Sequence, residues 1–419
     1  MCAERLACAS VRFLRLPFPS PRGILFFALV FSSAVSPLSG AFPQKSHKLP
    51  KPRVLDEGVT FQRDPATGEL RIASTTNASR ESPAAPAIAA PAPIRVVSQI
   101  VPITCSVFAA DGTPVLGLSR GDFRVFDDGA PSPLTYFDES TEPASVALVI
   151  DASPSVLRDS AEMKEAASAL IEGLAPADEV AVVDFSAHTY VQTGFTPIRE
   201  LLRRAVDRVD VRQLLGDTGG SNIYQSVYLT AAQLLAGRSG RKAIVLLTDG
   251  EDSGLGLTLN PESAAPRPGL PENRLTFDDV TRLLAANDIQ IFAVSTETRP
   301  RIMTPAWLAA HSERSLLTED ARRAGIPAYT LYLAEIVRRS GGELYFLHES
   351  DTLADTFRRI AQRIGIEYTL GIAPTSAEVA GRSDTAPERA GWHQLRVAVV
   401  DHDAASVVHR AAYYVPAPR

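Results

Sequence analysis

The sequence predicts an α/β protein: a doubly wound, mostly parallel sheet with a small β-sandwich built from the strands that flank it. Three observations carry this reading. Between residues 141 and 367, near-continuous apolar runs alternate with helical segments, as happens when helices cover both faces of a parallel sheet. Shorter alternating runs, broken by turn dipeptides, occupy 94–140 and 368–419. The 419 residues, 45% hydrophobic and 21% charged, are globular in class and long enough for more than one compact unit.

Taken in order, residues 1–41 read as an export signal. Arg5, Arg12, Arg15 and Arg22 precede the apolar stretch GILFFALVFSSAV, and small residues Ser39 and Ala41 follow it, which places cleavage after Ala41. An uncleaved membrane-anchoring segment over Gly23 to Phe42 is the other reading. Residues 42–93 are rich in Pro, Ala and Ser and are expected to form an extended, mobile linker. From 94 to 140, Asp111-Gly112 and Asp128-Gly129 suit tight hairpin turns, because Gly takes positive φ without strain. Of the three cysteines, Cys2 and Cys8 would leave with the signal, and Cys105 alternates with Val101, Ile103 and Val107 as a small core hydrophobe.

The central alternation runs SVALVI (145–150), EVAVVDFS (179–186), KAIVLLT (242–248), IQIFAVS (289–295) and ELYFLHE (343–349), with helical segments between. This is the doubly wound domain, 141–367. The end of the chain, WHQLRVAVVDHDAASVVHRAAYYVP, is hairpin-like, with Leu395, Val397 and Val399 on one face. It is expected to join the 94–140 strands in the sandwich over 368–419, since neither piece alone can bury both sides of a sheet. A formal charge of -6 with no basic stripe argues against a nucleic-acid surface.

In an open doubly wound sheet, ligands sit beyond the carboxyl ends of the strands, where the strand order reverses. With TYVQTGF (189–195) counted as the third strand and an order of 3-2-1-4-5-6, the strands ending at Asp151 and Asp249 flank that crevice. Asp151, Ser153 and Ser155 follow the first strand, Asp249 follows the fourth within DGED, and a Gly-rich turn opening a helix supplies Ser221. Three hydroxyls and two carboxylates form an all-oxygen set suited to a hard divalent cation, magnesium first, with manganese or calcium as alternatives. The set contains no His or Cys, which argues against zinc. The plainer reading is that Asp151 and its serines cap the following helix; it leaves the convergence of Ser221 and Asp249 unexplained.

D-x-S-x-S after the first strand, a hydroxyl residue in a Gly-rich loop and T-D-G after the fourth strand resemble the metal-ion-dependent adhesion site of von Willebrand factor type A (vWA) domains, whose fold is Rossmann-like. Over roughly 94–419 the chain is similar to a bacterial secreted group of these proteins, on GLSRGDFRVFDDG, LAEIVRRSGGELYFL, IEYTLGIAP and AAYYVPAP. The resemblance implies a divalent ion held directly by Ser153, Ser155 and Ser221, with Asp151 and Asp249 acting through waters or hydroxyls. It also implies an open coordination position for an Asp or Glu of a protein partner. Two departures bear on affinity: Ser221 stands where Thr is usual, and Gln225 where related sequences often carry an acid.

Other signals weigh less. GLSRG (117–121) satisfies the G-x-S-x-G pattern around Ser119 but lies between β-hairpin strands, where no nucleophile elbow forms. The DHD run (401–403) sits where a turn belongs. Long loops at 253–276 and 296–327 emerge at the carboxyl edge and are expected to rim the site, with Trp307 as a partner anchor. The leading expectation is a secreted or periplasmic adhesion module; the rivals are a scaffold with an empty site and a hydrolase using Ser119 or the metal.

Overall fold

The computed structural model describes residues 48–65, 67–74, 100–109, 113–140, 142–153, 155–156, 160–213, 221–255, 273–311, 315–347, 352–365, 367–373, 391–400 and 406–415. The export-signal segment and Asp111-Gly112 lie outside them. Strands β1 (Arg53–Val54), β2 (Thr60–Arg63), β3 (Leu70–Ser74), β4 (Val101–Phe108), β5 (Phe123–Asp127), β6 (Ala130–Ser132) and β7 (Leu134–Ser140) lead to β8 (Ser145–Asp151). The alternating region continues with α1 (Ser160–Gly173), β9 (Glu179–Phe185), β10 (Thr189–Thr196), α2 (Arg199–Gln213), α3 (Ile223–Thr230), β11 (Lys242–Thr248) and α4 (Phe277–Ala286). There follow β12 (Ile289–Ser295), α5 (Pro305–Ala310), α6 (Glu319–Arg323), α7 (Ala328–Ser340), β13 (Leu344–Phe346) and α8 (Leu353–Ile364). The chain closes with β14 (Glu367–Ile372), β15 (Gly391–Val399), β16 (Ser406–His409) and β17 (Ala412–Val415).

The main sheet has seven strands in the order β1-β10-β9-β8-β11-β12-β13. Leaving β1 aside, this is the 3-2-1-4-5-6 order read from the sequence. β8 pairs parallel with β9 and β11, and β11 with β12, because the intervening helices give each crossover its length. β10 runs antiparallel to β9, since Ser186–His188 is too short for a crossover. Every residue of β8 is buried. Leu148 and Ile150 face α1, α2 and α8, while Ala147 and Val149 face α3, α4 and α7. The helix layers account for the unbroken apolar runs.

The expected linker contains structure of its own. β1 pairs with β10 at the sheet's edge, and β2–β3 form a hairpin against α3. Leu55 and Leu70 are buried, Phe61 meets the ring of Tyr228 edge-on, and Tyr228 Oη donates to the carbonyl of Leu70. Arg63 clamps the hairpin to α4 through two 2.8 Å bonds to Asp279. These are side-chain anchors spread over a polar stretch, so no apolar period announced them.

The sandwich consists of two four-stranded sheets, β16-β4-β14-β7 and β17-β15-β5-β6, closing on one core that includes Ile103, Cys105, Phe123, Tyr368, Leu395 and Tyr413. The Asp128-Gly129 turn between β5 and β6 has φ of +48° and +82°, the left-handed pair a two-residue hairpin needs. The C-terminal segment is not a simple hairpin: β15 and β17 lie in one sheet while β16 pairs with β4 in the other. β4 thus lies between β14 and the edge strand β16, taking the partner that a simple hairpin would give to β15.

The sandwich and the doubly wound sheet belong to one compact unit, His47–Arg419. Buried Arg410, between β16 and β17, donates to the carbonyls of Ala285 and Pro102. Trp392 Nε1 donates to Asp278 on α4 at 3.0 Å, and Arg339 of α7 lies over the Trp392 ring.

Candidate metal centre

β8 and β11 are neighbours, so their carboxyl ends deliver Asp151 and Asp249 to one place. The third segment arrives because α3 begins against it. Asn222 N donates to the Ser186 carbonyl and Asn222 Nδ2 to the Ala187 carbonyl, which ties the start of α3 to the β9–β10 turn. Ser253 N donates to the Ser221 carbonyl at 2.7 Å and ties it to the loop after β11. Ser221 is thereby held from two sides.

The structure brings together all five residues singled out in the sequence. Asp151 is completely buried, at 0% exposure. Its Oδ1 accepts from Ser153 N and from Ser221 Oγ, both at 3.0 Å, and its Oδ2 accepts from Thr248 Oγ1 at 2.8 Å. Ser155 Oγ donates to Asp249 Oδ2 at 2.6 Å and lies 3.1 Å from Ser153 Oγ. Glu251 N donates to Asp249 Oδ1. The Asp151 carboxylate is spent on Ser153 N, Ser221 Oγ and Thr248 Oγ1, so helix capping does not account for it.

Burial pushes the Asp151 carboxyl above the usual aspartate range, against the hydrogen bonds from Ser153 and Thr248, and the Asp249 charge adds to the rise. Among the described residues, no Lys, Arg or His is hydrogen-bonded to either carboxylate. Among the described residues, the two carboxylates are therefore held by hydroxyl and backbone N–H donors alone.

Two contributors escaped sequence reasoning. Thr248, the residue before Asp249, turns its hydroxyl to Asp151 while accepting from Gly250 N. Asp252 reaches across to the start of α3, accepting from Tyr224 N at 3.3 Å and from Leu255 N at 2.6 Å. Asn222 itself makes no side-chain cap bond, so Asp252 caps α3 from another segment. T-D-G-E-D held both residues, but only the fold shows where each points.

The 296–327 loop is partly folded. Met303, Leu316, Ala321 and Ile326 form a small core with Leu331, Ala334 and Phe346, and buried Glu335 accepts from Leu316 N at 2.9 Å. Trp307 is half-buried against this core and stacks on His311, with ring centroids 4.1 Å apart, so it serves the loop's own packing. Ile302 is the large apolar side chain left exposed there. Of the 253–276 loop, residues 256–272 lie outside the described ones.

The fold and site define a class: a doubly wound α/β domain with an oxygen-lined centre at its topological switch point. Residues 146–251 match the family model of the von Willebrand factor type A domain. The chain carries a von Willebrand factor type A domain, and the match spans Asp151, Ser153, Ser155, Ser221 and Asp249. Similar solved structures include an aerotolerance-related membrane protein from Bacteroides fragilis (TM-score 0.35, 15% identity, covering 53% of this chain and 98% of that one). BatB, a conserved hypothetical protein from Bacteroides thetaiotaomicron, scores 0.36 at 15% identity, covering 53% and 98%. A von Willebrand factor type A protein from Catenulispora acidiphila scores 0.34 at 12% identity, covering 76% and 75%. No curated protein matches the chain.

Proposed function

We propose that Ser153, Ser155 and Ser221 hold a divalent cation, magnesium by donor chemistry, and that the ion captures an Asp or Glu side chain of a protein partner. The observation that carries this reading is the 3.1 Å separation of the Ser153 and Ser155 hydroxyls. Adjacent ligands of an octahedral ion at 2.0–2.1 Å stand about 3.0 Å apart. The carboxylates fit one step further out, because Asp151 accepts from Ser221 and Asp249 from Ser155. Carboxylates outside the first shell leave the ion's charge only partly neutralised. At about 4 Å and an effective dielectric near 20, a partner carboxylate would gain on the order of 4 kcal/mol before desolvation.

The scaffold reading has one observation in its favour: the same two hydrogen bonds close the set on themselves without an ion. Weighing against it, Asp151 is a fully buried carboxyl that, among the described residues, has no hydrogen-bonded cation beside it. A hydrolase built on Ser119 is disfavoured, because that side chain donates to Asp122 at 2.9 Å at the head of a 3-10 turn and follows no parallel strand. Export to the periplasm or cell exterior, with or without signal cleavage, completes the proposal. Among the described residues, no helix is long and apolar enough to cross a membrane.

Calorimetric titration of magnesium, manganese and calcium into the full chain tests the reading. A saturable heat abolished by Asp151→Ala is expected. Silence of all three ions would leave only the scaffold.

A further inference from the structure

At one end of the sandwich core, the inward-facing stripe of two paired strands turns polar. Phe123, Val125 and Asp127 are the buried residues of β5, and His393, Leu395 and Val397 those of β15. Leu395 pairs with Asp127, which sets His393 beside the β5–β6 turn. His393 Nδ1 lies 3.0 Å from Asp128 Oδ2 and 3.7 Å from Asp127 Oδ1. One ligand atom from each residue falls within 4.8 Å of the other two.

We propose that Asp127, Asp128 and His393 form a second metal site, for an ion of the zinc class. An imidazole nitrogen with two carboxylates is a donor set that borderline metals accept and magnesium does not favour. Zinc bonds of about 2.1 Å place tetrahedral ligands about 3.4 Å apart; the two measured separations straddle that value. Outer partners orient both acids. Tyr413 Oη donates to Asp127 Oδ2, and Gln394 N donates to Asp128 Oδ1, each at 2.8 Å. The Tyr413 ring stacks on His393 at 4.9 Å and 21°, which fixes the imidazole plane.

Asp127 and His393 are 1% and 5% exposed, while the Asp128 side chain is 46% exposed and gives an ion its way in. Two carboxylates and a neutral imidazole balance one divalent charge. The imidazole nitrogen faces both acids, Asp128 on the exposed turn and Asp127 on the core side.

Cobalt(II), whose visible absorption reports tetrahedral coordination, tests this in the full chain with excess magnesium present to occupy the oxygen centre. One equivalent should bind with a tetrahedral band, and zinc should displace it. His393→Gln and Asp128→Asn should each weaken cobalt binding by roughly 10–100-fold or more, while Asp151→Ala leaves it unchanged. Circular dichroism confirms folding of each variant; Asp128→Asn, on a half-exposed turn, decides the matter if His393→Gln does not fold. Absence of the band, or a band indifferent to both substitutions, would reduce the triad to a hydrogen-bonded pair and overturn the site.

Discussion

Asp151→Asn separates the roles of charge and shape at the candidate metal centre. The substitution keeps the side chain's outline and the acceptor for Ser153 N and Ser221 Oγ, and turns an amide N–H toward Thr248 Oγ1. Losing charge assistance on three hydrogen bonds costs roughly 1 kcal/mol each. Removing a buried carboxylate that, among the described residues, has no hydrogen-bonded cation returns several kcal/mol, so in chelator the variant should be at least as stable as the parent at pH 7. With magnesium at about 100 times its dissociation constant, the parent gains about 2.7 kcal/mol, a rise of roughly 5 °C in Tm at 2 °C per kcal/mol. The variant should gain nothing, so the order of stability reverses when the ion is added. Thermal unfolding followed by circular dichroism, in chelator and in magnesium, reads both effects. A parent midpoint indifferent to magnesium, or a variant far less stable in chelator, would refute the reasoning.

Proton competition follows from the same residue. Because burial raises the folded Asp151 value, magnesium-dependent stabilisation should shrink as pH falls through it, and a flat profile down to the ordinary aspartate value of 3.8 would contradict this. Glu335 has the opposite sign. Burial opposes its charge, but Arg338, Leu316 N and Arg339 hold the carboxyl below the ordinary 4.5. Its contribution is full above 4.5 and lost as pH falls through the depressed value, so Glu335→Gln should flatten that acid limb in urea titrations and cost about 3–5 kcal/mol at neutral pH. Arg63→Ala should release the β2–β3 hairpin, seen as faster proteolysis between residues 55 and 70 and a loss of roughly 1.5–3 kcal/mol. Gly341 has φ +85°, and an added Cβ would stand 2.3 Å from Arg410 N, so Gly341→Ala should lower the urea midpoint and loosen the sandwich from α7; an unchanged midpoint would disprove that contact.

The strands β8, β9, β11 and β12 were legible because helices cover both faces, and burial on both sides leaves an apolar run that can be read directly. Their order then placed Asp151 and Asp249 side by side. The β2–β3 hairpin was not legible: Arg63 and Tyr228 hold it through long-range partners, and its own residues alternate weakly. Nor was the passage from β15 to β16 into opposite sheets, since its connection looks like any polar turn. At the candidate metal centre the acids and serines were readable by spacing, whereas the aim of Thr248 and Asp252 depends on how β11 leaves the sheet. Asp127, Asp128 and His393 lie on separated strands and share no sequence signal.

Crystals grown with manganese would test most directly whether the oxygen centre takes an ion. The expected result is an anomalous peak within roughly 2.3 Å of the hydroxyls of Ser153, Ser155 and Ser221, with Asp151 and Asp249 one shell outside. Clear density for all five side chains, keeping the hydrogen bonds described above and with no peak between them, would contradict it.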